Sequence, residues 1–504
     1  MKSCARPVRF RSTRKSGFTL TEILIATALT LLMMAVAVNG FGLMAGSIAD
    51  NRAVIEVSSR LRSAQQRLQL DLRYITAKLT PPLDPKDDLG YLEIIEGPGP
   101  WQPGFGFGIQ PVKADGTFDS SVGDVDDVIM FTTRSNDTPF LGNWDGDPPG
   151  TNPQSKVAEV AWFVRGNKLY RRQLLVWPLG KRRQAFANYY NRNDVSVRLE
   201  GGQTDHRAAF FDRTKEFVPN TLGDLTKREN RFAHQPLQFP HDVRQWGFLG
   251  LPIMQETTSP NYPLPELGSS YGMGDLITIP GLSFTPPSTM DYWLANPLAG
   301  LPVDPLQGHL TDLPNGSRAG EDVILTNVIG FDVKVWDPGA PVFWLESTNE
   351  PVLPGDFAYK HKLSDGDAVK IRSGAFVDLF YTRGVTVADS DYNGQFAGPG
   401  TSKSQLQAGS NTSAVYCTWS THYENDGVNQ ADHLKDGSGD TLELIDEGSN
   451  GIDDNSNGIV DDPGEWETLP PYPVPLKAIQ IKIRVFEPDS GQIREVTVVQ
   501  DFVR

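Results

Sequence analysis

Apolar residues run almost without interruption from Phe18 to Ala45, and after Asp50 they thin to a spacing of three and four. The first stretch is long enough to cross a bilayer as one helix. In the second, Val54, Val57, Leu61, Ala64, Leu68, Leu72, Ile75 and Leu79 recur on one helical face, with Arg60, Arg62, Gln66, Arg67, Asp71 and Lys78 set opposite. Pro81 and Pro82 are expected to end the helix. Together the stretches predict one helix of about 60 residues, roughly 90 Å long at 1.5 Å per residue. It would span a membrane over 18–46 and continue as an amphipathic helix over 47–80.

Beyond Pro82 the period shortens to two. Asp127–Thr132 is expected as a strand, and Ala158–Arg165, the turn Gly166-Asn167-Lys168 and Leu169–Val176 as a β-hairpin. Asp322–Trp336 and Ala375–Tyr381 are further strand candidates, and a second hairpin, Ala478–Phe486 with Arg494–Val503, closes the chain. The fold class is therefore α+β: a long N-terminal helix, then a β-rich head over 81–504. Large insertions interrupt the head at about 178–320 and 386–473; the first carries a short predicted helix, Leu222–His234, whose Lys227, Arg228 and Arg231 are expected on a solvated face.

Length and charge narrow the setting. The 504 residues suffice for a sizeable core, and the 48 glycines and 38 prolines suit turns and strands better than a helical body. Residues 1–17 form a leader with six cations and no acid, expected to stay cytoplasmic by the positive-inside rule. Without it the formal charge falls from −16 to −22. An acidic exported body disfavours nucleic acid and suits a calcium-containing exterior. Cys4 lies in the leader, leaving Cys417 alone, so the head is held by packing rather than by an internal disulfide.

The run Lys15-Ser16-Gly17-Phe18-Thr19-Leu20-Thr21-Glu22-Ile23-Leu24-Ile25 places one carboxylate in an apolar helix that carries no other charge before Asp50. Such a carboxylate costs several kcal/mol in a membrane unless it finds a partner. An ordinary secretory signal, with Ala35-Val36-Ala37 as its cleavage site, leaves Glu22 unexplained, and a plain anchor explains neither Gly17-Phe18 nor Glu22. The run resembles the class III signal of type IV pilins and pseudopilins. That resemblance implies cleavage after Gly17 and N-methylation of Phe18 by a prepilin peptidase. It also implies that Glu22 neutralises a terminal amine, its own or a neighbouring subunit's.

The head resembles that of the J-type minor pseudopilins of type II secretion systems, in Ala158–Val164 with Leu169–Arg172, in Val328–Val333 and in Pro475–Ile483. The resemblance implies a helix packed on an antiparallel sheet and a structural role at or near a pseudopilus tip. It further implies a single pass through the inner membrane with the head outside the cytoplasm, and other pseudopilin subunits as partners. The two insertions depart from the family's smaller head. A minor type IV pilin or surface adhesin, and a pilin-anchored hydrolase, are the competing readings.

No catalytic motif stands out. H-E-x-x-H, a Walker loop and C-x-x-C are missing, Gly104–Gly108 lacks the lysine of a phosphate loop, and the histidines are scattered, so no enzymatic role is expected. One stretch carries metal chemistry. Asp453-Asp454-Asn455-Ser456-Asn457-Gly458-Ile459-Val460-Asp461 follows the D-x-[DN]-x-[DN]-G opening of a calcium loop, where alternate oxygens face the ion and glycine permits the turn. Asp453, Asn455, Asn457 and Asp461 would give side-chain oxygens and Ile459 its carbonyl. The twelfth position is Gly464, so Asp462 or Glu465 would have to stand in for the usual glutamate. An Asx-rich turn without metal is the alternative.

Overall fold

The computed structural model describes residues 17–96, 127–145, 152–165, 168–184, 193–200, 216–227, 230–232, 321–345, 349–354, 359, 368–379, 381, 394–396, 415–420, 453, 455–460, 464–465, 472–488 and 490–502. The seven histidines, the glycine run 104–108, Arg228, Asp461 and Asp462 lie outside these residues, as does most of both insertions. The chain divides into two compact units, Met1–Val57 with Glu487–Gln492, and Ser58–Phe486 with Ile493–Arg504.

Helix α1 runs from Leu20 to Arg73. Its Leu20–Gly42 portion has a mean hydropathy of 2.1 and no buried residue, so it is long and apolar enough to cross a membrane by length and composition. Polar side chains there satisfy themselves locally: the hydroxyls of Thr27 and Thr30 donate to the carbonyls of Leu24 and Ala26 at 3.0 and 2.9 Å. Further along, Leu61, Ala64, Leu68 and Leu72 are all at most 2% exposed, the helical stripe expected of a core-facing face.

The helix ends earlier than Pro81. Ile75 forms an antiparallel bridge with Thr133, Thr76 N–H donates to Thr132 O at 3.0 Å, and Arg134 N–H donates to Tyr74 O at 2.9 Å. The reason lies in the sheet. Strand β1 (Leu92–Ile95) pairs with β2 (Val128–Arg134) only over Val128–Phe131, leaving the end of β2 open on that side. Residues 74–76 take the vacant edge, and β-branched Ile75 and Thr76 suit it better than a further helical turn. Ile75 and Leu79 therefore leave the predicted stripe.

Two short strands, β3 (Phe140–Leu141) and β4 (Gln154–Ser155), pair with each other, and the expected hairpin comes next as β5 (Val157–Arg165) and β6 (Lys168–Leu175). The first insertion supplies β7 (Arg183–Gln184), β8 (Val197–Glu200), β9 (Glu216–Pro219) and the short helix α2 (Leu222–Thr226). Then come β10 (Val323–Thr326), β11 (Val328–Leu345), β12 (Glu350–Val352), β13 (Ala368–Val377), β14 (Val415–Cys417), β15 (Ala478–Glu487) and β16 (Gln492–Asp501). One sheet has the order β10-β6-β5-β2-β1-β14 and another β12-β11-β15-β16 with β13 also on β11; β7-β9-β8 form a third. These strands pair with antiparallel register, so the chain is α+β.

The predicted strand Asp322–Trp336 is split. Asn327 adopts φ +58°, and the chain passes there from one sheet to the other. A residue in the left-handed region breaks a pleat, and Asn tolerates it better than most. Cys417, by contrast, sits buried in the edge strand β14.

The six-stranded sheet is buried on both faces, so β2 is buried at six successive positions instead of alternating. Arg171 and Arg172, neighbours on β6, point to opposite faces and show what lies on each. Arg171 reaches Asp71 of α1, while Arg172 pairs with Asp194 at 3.0 Å and Asp322 at 2.9 Å. Burial alone would lower the Arg172 pKa, but Asp322 and Asp194 together raise it. On the Arg172 side, Val195, Val197, Phe217, Leu222, Leu225 and Phe232 of the first insertion join a core with Tyr91, Met130, Phe163 and Tyr170.

Two expectations are overturned here. Asp71, placed with the solvent-facing residues, is 3% exposed; it lies three residues beyond Leu68 and so shares the buried stripe. Arg231, expected on a solvated helix face, is 1% exposed. The predicted helix stops at Thr226, and residues 230–232 fold onto the sheet so that Arg231 meets Glu93, both side chains fully buried.

Candidate functional sites

Gly17 and Phe18 precede the first helical residue, and Phe18 is 83% exposed. Among the described residues, a Cβ on Gly17 would meet nothing within 4 Å, so none of them demands glycine there. Thr19 is the residue before the helix, and Glu22 lies in its first turn. The carboxylate Oε2 of Glu22 accepts from Thr19 N–H and from the Thr19 hydroxyl, both at 2.9 Å, while Glu22 N–H donates to Thr19 Oγ1 at 3.3 Å. This reciprocal arrangement is a capping box, which satisfies amide donors a helix leaves open at its start.

Glu22 therefore has a local partner. Its carboxylate is turned toward the N-terminal end of α1, beside the backbone of Thr19, where the helix dipole also favours negative charge. The T-x-x-E spacing ahead of an apolar run carries this signal, and reading Glu22 only as a membrane carboxylate misses it.

The second candidate is the loop around Asp453. Asp453 Oδ1 accepts from Asn457 N–H at 3.0 Å and Oδ2 from Gly458 N–H at 2.8 Å. Asn455 Oδ1 accepts from Asn457 N–H at 3.0 Å, and Asn457 Oδ1 from Ile459 N–H at 2.8 Å. Ser456 and Gly458 take φ of +57° and +93°, which winds the chain tightly at both positions. Glu465 is 1% exposed, and its Oε1 accepts from Asn455 N–H at 3.0 Å, so the chain folds back to bring this carboxylate to the loop.

The structure thus assembles Asp453, Asn455, Asn457 and Glu465, with Ile459 exposed beside them. Asp461 and Asp462 lie outside the described residues. These are the hard oxygen donors that calcium takes, so the donor chemistry fits the ion. Among the described residues, however, no group of three or more His, Cys, Asp or Glu side chains is placed to hold a metal. Val460, at the apolar eighth position, is 52% exposed instead of packed.

Compared with protein-family models, with curated proteins and with solved structures, the chain matches none. Its function is therefore argued from its own residues and geometry.

Proposed function

We propose that this protein is a minor pseudopilin-like structural subunit and not an enzyme. A prepilin peptidase would cleave it after Gly17 and N-methylate Phe18. It would then sit in the inner membrane with its leader side cytoplasmic and its head outside, and assemble with other pseudopilin subunits at or near the tip of a type II secretion pseudopilus. One observation carries this reading: a single helix, α1, begins beside Gly17-Phe18 with a lone acid in its first turn, stays apolar and exposed to Gly42, and later buries Leu61, Ala64, Leu68 and Leu72. A secretory signal has no use for such continuity, because it is discarded.

The reading extends to calcium in the 453–465 loop, with Asp453, Asn455, Asn457 and Glu465 as described donors and Asp461 and Asp462 as further ones. Calcium there would neutralise converging carboxylates in an acidic exported head.

Mass spectrometry of the membrane-purified protein tests the proposal. It expects a mature start at methylated Phe18, a retained leader in Gly17→Val, and co-purifying pseudopilin subunits. A start at Val38, directly after the Ala35-Val36-Ala37 site, would sink it.

A further inference from the structure

Arg231 engages several sides of its buried guanidinium. Nη1 donates to Glu93 on β1 at 2.8 Å, Nε to Leu225 O at 3.1 Å, and Nη2 to Thr226 O at 3.1 Å and Thr418 O at 3.3 Å. Its carbon lies 4.2 Å from the centre of the Tyr91 ring. Leu225, Thr226 and Arg231 belong to the first insertion, whereas Thr418 belongs to the second. A direct tie joins the same two segments: the Ser420 hydroxyl donates to Thr226 O at 3.3 Å. Thr418 is fixed to β1 in turn, donating its N–H to Leu92 O and accepting from Leu92 N–H on its hydroxyl, both at 2.9 Å.

We infer that the two insertions of the head are energetically coupled, segments 222–232 and 415–420 opening and closing as one cooperative unit through Arg231 and Ser420. The last carbonyls of a helix have no partner inside it, and buried ones must find donors elsewhere. Here those donors come from Arg231 and from the second insertion. Lifting 415–420 away removes Ser420 from Thr226 O and Thr418 O from Arg231, leaving a buried cation short of an acceptor. Lifting 222–232 removes Arg231 from Glu93, and with it the charge that neutralises this fully buried carboxylate next to β14. Neither segment opens without exposing the other to that cost. A partner that holds one insertion therefore steadies the other; this consequence for assembly rests on the proposed function, while the coupling itself does not.

Hydrogen exchange on the full chain in detergent micelles reads the coupling directly. Ser420→Ala, which removes one tie, and Arg231→Lys, which keeps the charge but loses the fork, should each speed amide exchange about five- to tenfold in both segments together. Lys227→Ala, a half-buried neighbour outside these ties, should leave both unchanged. Should Arg231→Lys lose the near-ultraviolet signature of the folded head, Ser420→Ala carries the test alone. Faster exchange confined to one segment, or unchanged exchange in both, would overturn the coupling.

Discussion

Asp71 of α1 holds Arg171 of β6 in a two-point ion pair: Nε reaches Oδ2 at 2.6 Å and Nη2 reaches Oδ1 at 2.9 Å. The indole of Trp162 adds a third donor at 3.1 Å. Both charged side chains are more than nine-tenths buried, so their cost in desolvation is large and the fixed geometry must offset it. The pair sets the rotation of α1 on the sheet, since a turn of the helix by one residue would carry Asp71 away from Arg171.

Removing one partner should therefore destabilise more than removing both. Asp71→Ala is expected to cost about 3–5 kcal/mol, because Arg171 is left charged and buried. Asp71→Leu combined with Arg171→Met should cost clearly less than the sum of the single changes. Chemical unfolding of the four proteins gives the coupling, and additive costs would mean that the pair contributes little.

How much of this was legible in the sequence depends on the distance over which each signal acts. The stripe from Leu61 to Leu72 and the hairpin of β5 and β6 follow local periods, and both are present in the structure. Asp71 could be placed by its spacing from Leu68, but its charge argues for solvent, and only the partner 100 residues away reverses that. Arg231 is a similar case, 138 residues from Glu93. In the first insertion, Val195, Val197, Phe217, Leu222, Leu225 and Phe232 are separated along the chain, and they gather only where the sheet offers a second face to cover.

One substitution separates the cap that Glu22 forms from the amine-neutralising role proposed for it. A capping box works with Gln as well as Glu, because the neutral amide still accepts from Thr19 N–H. Neutralising a terminal amine needs the negative charge. Glu22→Gln should therefore insert and be cleaved normally, yet fail to enter the assembly, and Glu22→Leu should fail likewise. Thr19→Ala should weaken the cap by about 1 kcal/mol while retaining the charge. Normal co-purification of Glu22→Gln with partner subunits would leave capping as the only role.

Lys334 gives a pH prediction with a definite sign. Burial works to lower its pKa, but Asp332 at 3.1 Å and Asp378 in direct contact carry it well above the ordinary lysine value. A raised folded pKa means that the charge stabilises the head fully below the unfolded lysine pKa and loses this only as alkali approaches the folded value. Lys334→Met should then cost about 1–3 kcal/mol at neutral pH, and the gap from the native protein should shrink only in strong alkali. A gap that already closes between pH 7 and 9 would contradict the pairing.

The proposed binding of calcium by the Asp453 loop is tested by stability. Asp453 already accepts two backbone N–H groups, so it orders the turn with or without an ion, and Asp453→Ala alone would confuse the two roles. Glu465 separates them better. It stands where a calcium loop needs its late carboxylate, one position beyond Gly464, and Glu465→Gln keeps an acceptor for Asn455 N–H while losing the charge. At the affinity of extracellular calcium modules, about 10⁻⁴ to 10⁻³ M, a 5 mM addition should stabilise the native chain by about 1–2 kcal/mol through mass action. Thermal unfolding of the full chain in detergent should therefore shift upward by a few degrees, of the order of 2 °C. Glu465→Gln should unfold near the native temperature without calcium and lose most of the shift with it, and Asp453→Ala with Asp461→Ala should lose all of it. Magnesium at the same concentration should do much less, because it dehydrates reluctantly and demands tighter octahedral geometry. Equal shifts in the native protein and in both variants would place any ion elsewhere and leave Asp453, Asn455 and Asn457 in a turn held by their own side chains.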